Sequence, residues 1–191
     1  MDYPLMETPF ILVPFKEMNK KQVEQYFNWF IQEKEKRMTQ LEICVNQEIK
    51  SVVLDKTPES LIPLWDWFES HIEWEDKTEE ELKDELVGRP EWMYPHILVH
   101  TKKATILTMA LERDIAIYFA ETLINNHPNI YWGYRMKPKR LDGVNQPILL
   151  GFKGDISVNY RRLVNVCLLK SSRKKDKNQL YELYNIWCEN V

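Results

Sequence analysis

KATILTMALERDIAIYFAETLINN, residues 103–126, decides the fold. Its apolar positions recur at helical spacing, and residues 115–120 are apolar on every side, the pattern of a helix wrapped by others rather than one half-exposed to water. The spacing therefore predicts a long central helix over about 103–126. Three carboxylates, Glu112, Asp114 and Glu121, interrupt that apolar surface. A carboxylate held there either has a raised pKa and an acid–base role or meets a compensating cation, for which Arg135, Arg161 and Arg162 are the candidates.

Working outward, Asn19 with Gln22 three positions on makes a capping-box signature, and Val23, Tyr26, Phe27, Phe30, Met38, Leu41 and Val45 keep a helical period through Glu48. Thr57-Pro58-Glu59 starts a second helix, expected to run to about Trp74. Thr78 with Glu81 caps a short, very acidic third helix that Gly88 and Pro90 stop. Residues 92–101, with the apolar run Ile97, Leu98 and Val99, read as strand or loop, and residues 10–15 read as an extended strap bounded by prolines. After Pro128, the β-prone stretches 130–136 and 147–152 predict an antiparallel pair, followed by helices over about 160–171 and 177–190, the latter opened by Asp176 with Gln179. The fold class is α+β and predominantly helical: about six helices around a central one, with a small β-hairpin near 130–153, in a single domain over 1–191. The echo between YFNWF at 26–30 and LWDWF at 64–68 is core-filling aromatics, since two copies make no solenoid.

Composition narrows the class. With 44% hydrophobic and 12% aromatic residues, 191 residues suffice for one core. Cys44, Cys167 and Cys188 are too few for a disulfide framework and sit in apolar helical contexts, which fits reduced thiols in a reducing compartment. No local pattern marks a cysteine as a nucleophile, and the scattered glycines form no phosphate-cradling motif. The first residues lack the basic segment of a secretion signal, and no apolar run approaches the ~18 residues a membrane span needs, so the expected location is the cytoplasm, away from membranes.

Charge is distributed unevenly. Up to Pro128 there are 14 basic and 24 acidic side chains; after it there are 12 and 5, so the formal net charge of −3 conceals a polarity. Residues 66–91 alone carry eleven acids against three bases. Glu69, Glu73, Glu75, Asp76, Glu79, Glu80, Glu81, Asp84 and Glu85 read as a docking face for a basic partner. At the other end, Lys137, Lys139, Arg140, Arg173, Lys174, Lys175 and Lys177, with Tyr131, Trp132 and Tyr134, read as a rival surface for nucleic acid, against which stands a pI of about 5.9. His96 and His100 share the spacing of metal ligands on one helical face, with Glu91 or His71 as further donors, but no glutamate base lies between them and their setting is apolar. The sequence assigns no metal, no cofactor and no catalytic residue.

The residues AIYFAETLINN at 116–126, Ile130-Tyr131-Trp132, NQPILLGF at 145–152 and Arg162-Leu163-Val164 together resemble a pattern in small uncharacterised bacterial proteins. In those, a helix reading Y-x-G-E-x-L leads into a hairpin containing Trp and then another helix; some are taken to be immunity proteins of polymorphic toxin systems. Ala120 stands where their glycine falls. The resemblance implies a structural helix–hairpin junction containing Glu121 and Trp132, and no catalytic residues. The expected function is a non-enzymatic, cytosolic protein-binding module, an immunity or antitoxin-like protein recognising a basic partner such as a toxin. The alternatives are nucleic-acid binding, or an enzyme using a buried carboxylate or a metal.

Overall fold

The computed structural model describes residues 3–50 and 52–191; Met1, Asp2 and Ser51 lie outside them. The described residues form seven α-helices and two small antiparallel sheets of two strands each. In chain order these are α1 (Lys20–Glu48), α2 (Leu61–Ser70), β1 (Trp74–Asp76), α3 (Glu79–Leu86), α4 (Tyr94–Leu98), β2 (Lys102–Ala104), α5 (Ile106–Asn126), β3 (Tyr131–Gly133), β4 (Ile148–Leu150), α6 (Tyr160–Ser171) and α7 (Gln179–Cys188).

Helix α5 is the core element expected from its sequence. From Ala110 to Leu123 every residue but Arg113 is buried, and the helix packs on α1, α2, α6 and α7. It starts later than the periodicity suggested, because Lys102–Ala104 is extended and pairs with β1 in the register Trp74↔Ala104, Glu75↔Lys103, Asp76↔Lys102. Thr105 then caps the helix by accepting from the Thr108 amide. The same pairing corrects the end of the second helix: α2 stops at Ser70, and Trp74 belongs to a strand. Thr57 makes no side-chain cap either; its hydroxyl donates to Asp55, a 3-10 turn spans Pro58–Ser60, and α2 proper begins at Leu61.

Around α5 lie Phe30, Leu41 and Val45 of α1, Leu61, Leu64, Trp65 and Phe68 of α2, Val164 and Leu168 of α6, and Leu180 of α7, all buried. Each large side chain so placed contributes ~1.5–3 kcal/mol from apolar area withdrawn from water. Both capping boxes foreseen, Asn19 with Gln22 and Thr78 with Glu81, are present. Residues 92–101 are neither strand nor simple loop: a 3-10 turn over Glu91–Met93 leads into α4, which Pro95 opens without losing a needed donor. The strap over residues 10–15 is shallow, with Ile11 94% exposed, although Phe10 meets Trp29 and Phe15 meets Tyr26 edge-on. The buried anchor of this terminus is Tyr3.

Strands β3 and β4 pair as expected, Trp132 opposite Leu149. Gly151 closes that hairpin at φ +99°, where a Cβ would lie 1.8 Å from the Asn129 carbonyl oxygen, so only glycine lets the two chains approach. Among the described residues no helix is long and apolar enough to cross a membrane.

Candidate interaction surface

The carboxylates of α5 are held by cations that the sequence reading did not select. Asp114 is fully buried and takes a forked contact from Arg37 of α1, Nε at 3.0 Å and Nη2 at 2.6 Å, plus the Tyr3 hydroxyl. Burial opposes the Arg37 charge, but its bonds to Asp114 outweigh that and hold its pKa above the ordinary arginine value. Glu121 accepts from Lys34 of α1 at 2.7 Å and from the Trp132 indole at 2.6 Å, with Lys56 at 3.5 Å. Burial alone would raise the Glu121 pKa, but Lys34 and Trp132 more than offset it and the net displacement is downward. Lys34 and Arg37, one turn apart, reach Glu121 and Asp114 in reverse order, so α1 and α5 run antiparallel where they touch. Of the three cations expected here, Arg135 pairs with Asp155 and Arg162 with Asp142 at 3.2 Å, while Arg161 makes no ion pair among the described residues.

Glu112 is the exception. It is 3% exposed, no cation lies within ion-pair distance, and its Oε1 is sealed from water without a hydrogen-bond partner among the described residues. Burial pushes its pKa up to about 7, only partly opposed by the fields of Arg161 and Arg113.

The acidic segment divides into three. Glu69 does not belong to a docking face: it is 3% exposed, and its carboxylate accepts from the Ser171 hydroxyl and from the Asp176 amide at 3.0 Å, tying α2 to the turn between α6 and α7. A second set is neutralised locally. Glu75 and Glu81 share Lys103, Glu85 takes Lys77 at 2.8 Å, and Glu79 faces Lys83 at 3.7 Å. Glu81 also closes the α3 capping box, so it is half-buried and structural. The remaining acids, Glu73, Asp76, Glu80 and Asp84, are exposed and make no side-chain hydrogen bond or ion pair with the described residues. Glu80 and Asp84, four positions apart, share one face of α3.

Beside that face lie side chains that composition alone did not single out. Gly88, at φ +71°, turns the chain out of α3, and the return through α4 leaves a shallow hollow lined by Asp84, Glu85, Val87, Arg89, Met93 and Ile97. Val87 is 76% exposed and Trp92, just before α4, is 72% exposed. Asp84, Glu85 and Arg89 thus share this hollow with the apolar side chains of Val87, Met93 and Ile97, and the exposed Trp92 directly precedes Met93 in the chain. The only sequence signal for this was the break between α3 and α4, where apolar residues stand beside turn residues.

The basic end is dispersed. Lys170 and Arg173 line a hollow together with Lys77, His100 and Lys102, so part of the basic end adjoins the acidic segment instead of standing at an opposite pole. The Lys175 ammonium donates to the Glu69 carbonyl, and that of Lys139 to the Lys16 carbonyl. Of the aromatics that would stack bases, Trp132 donates to Glu121 and Tyr134 packs on Phe27, leaving Tyr131 exposed. Lys137, Arg140, Lys174 and Lys177 are exposed surface.

His96 and His100 do not share a helical face, because α4 ends at Leu98 and the His100 amide closes a turn onto Ile97. His71 is occupied by Glu48 at 2.9 Å. Among the described residues no group of three or more His, Cys, Asp or Glu side chains is placed to hold a metal. Cys44 and Cys167 are buried, with burial raising both thiols, Cys167 to about 11. Cys188 Sγ lies 3.2 Å from His127 Nε2, a contact between residues 61 apart that no local motif announces. Its thiol is nevertheless raised by burial, the reverse of an activated nucleophile.

No family model, curated protein or solved structure matches this chain.

Proposed function

We propose that this chain is a non-enzymatic protein-binding module that docks a basic partner protein on the surface formed by α3 and the α3–α4 turn. The observation that carries this reading is the hollow in which Val87, Met93 and Ile97 meet Asp84, Glu85 and Arg89, with Val87 and the nearby Trp92 of the chain exposed. Interfaces concentrate affinity in a few aromatic anchors surrounded by polar rim residues, and rim charges set the rate and selectivity of encounter. Asp84 stands at that hollow, and Glu73, Asp76 and Glu80 add exposed carboxylates that make no hydrogen bond or ion pair among the described residues. The partner is basic, in keeping with an immunity-like role in which this face covers a groove that a toxin would use for phosphate.

A photocrosslinker in place of Trp92, with a control at Lys36, captures the partner. Its affinity is then measured against a variant carrying Glu73→Lys, Asp76→Lys, Glu80→Lys and Asp84→Lys. At least about tenfold weaker binding is expected, with a flatter salt dependence. Equal affinity in the two proteins refutes the reading. Glu79 and Glu81 are poor targets for this test, because they pair with Lys83 and Lys103.

Nucleic-acid binding by the basic end is the second reading, supported by Lys102, Lys170 and Arg173 in one hollow with His100. A steep fall of oligonucleotide binding with salt would favour it. The engagement of Trp132 and Tyr134 inside the fold weighs against it.

A further inference from the structure

Between α5, α6 and the turn preceding β4 lies a shallow cleft of about 270 Å³ lined by residues that all carry polar or charged groups: Glu112, Asp142, Gln146, Asn159, Arg161, Arg162 and Asn165. Three of these satisfy one another. Asp142 pairs with Arg162 at 3.2 Å and accepts from the Asn159 amide at 3.4 Å, while the Asn159 side-chain oxygen caps α6. The other four, Glu112, Gln146, Arg161 and Asn165, make no side-chain hydrogen bond or ion pair among the described residues.

Two features separate this from ordinary solvated surface. Glu112 is 97% withdrawn from water, and both its Oε1 and the Arg161 Nε are sealed without partners. An unmatched buried carboxylate and an unmatched buried guanidinium nitrogen each oppose folding. The wall also carries two carboxylates and two guanidiniums, and once Asp142 and Arg162 are paired, one of each sign remains. A lone anion would satisfy Arg161 and meet Glu112 as a like charge; a lone cation would do the reverse.

We infer that this cleft binds a small zwitterion of the α-amino-acid type, its ammonium at Glu112 and its carboxylate at Arg161, with Gln146 and Asn165 as adaptable amides. The volume, just under the ~300 Å³ at the lower end for ligand pockets, suits a molecule of few heavy atoms. The inference is independent of the docking surface, which shares no residue with this wall.

The test is an amide NMR titration of the full chain with glycine and L-alanine, alongside sodium acetate and methylammonium chloride as the two half-ligands. Glycine or alanine is expected to shift the Gln146 and Asn165 resonances saturably, with acetate and methylammonium at least about tenfold weaker. Glu112→Gln and Arg161→Gln should each weaken the amino acid by a similar factor. Glu112 is faced by Arg113 on its own helix, by Tyr160, Arg161 and Arg162 of α6, and by Asp142 of the turn. A proton on Glu112 removes the ammonium site, so affinity falls as pH drops through about 7 in the wild type and stays flat in Glu112→Gln. Acetate binding as tightly as glycine would make this a simple anion site and overturn the inference. So would the absence of any saturable shift, or an unchanged affinity in Glu112→Gln, a substitution of the same shape that leaves the helix intact.

Discussion

Helices α5 and α3 are both marked by carboxylates, and they use them in opposite ways. On α5 the acids lie in a low-dielectric core, where an unpaired charge is intolerable, so Asp114 and Glu121 are clasped by Arg37, Lys34, Tyr3 and Trp132. On α3 the acids face solvent, and Glu80 and Asp84 stand unpaired among the described residues, Asp84 at the edge of a shallow hollow. Acids that hold the fold are thus those with the most partners, and the acids assigned to recognition in the proposal are those with the fewest. Glu112 belongs by position to the first group and by its lack of partners to the second, which is why it points to a ligand.

The sharpest way to break this comparison is to remove a cation from α1. Arg37→Met leaves Asp114 buried and unpaired and is expected to cost ~3–5 kcal/mol in urea unfolding, most of it recovered when Asp114→Leu is added. A loss below ~1 kcal/mol would mean the pair does not hold the core. The Glu112 effect comes next. The folded protein keeps a proton on Glu112 up to about pH 7, whereas the unfolded chain releases it near the ordinary 4.5. The folded state therefore binds more protons in that window, and stability falls as pH rises through it, by up to roughly 3 kcal/mol. Glu112→Gln should flatten that part of the stability–pH curve. Glu121 has the opposite sign: its pKa is depressed, so its contribution is present above the ordinary 4.5 and is lost as pH falls below it.

Smaller effects belong to α3 and the turn before α4. Trp92→Ala is expected to weaken the partner by ~2 kcal/mol, seen mainly as faster dissociation. Thr78→Ala removes the capping box and should cost ~1 kcal/mol, with faster amide exchange confined to α3. Glu80→Lys with Asp84→Lys should leave the urea midpoint unchanged; a clear shift would show that these acids do hold structure.

Legibility in the sequence followed the range of the interactions. Helix α1 was readable because Asn19 and Gln22 act within one turn, and α1 and α5 because apolar spacing records which face is covered, whereas the Thr105 cap that sets the start of α5 went unread. The β1–β2 pair was not, since three-residue strands 28 positions apart leave no periodicity, and Trp74 continued the helical pattern of α2. Arg37 and Lys34 sit in EKEKR, which reads as solvated surface; only their placement against α5 reveals them as buried. Glu69 misled in the reverse direction, because its burial is made by Ser171 and Asp176, about a hundred residues away. The proposed docking face does without Glu69 and rests on acids whose lack of partners no sequence can show.

The most direct measurement is the association rate constant of the captured partner as a function of ionic strength, for the wild type and for the variant carrying lysine at positions 73, 76, 80 and 84. The expected result is a rate that falls steeply with salt in the wild type and is slower and nearly salt-independent in the variant. Two superimposable salt profiles would contradict the account.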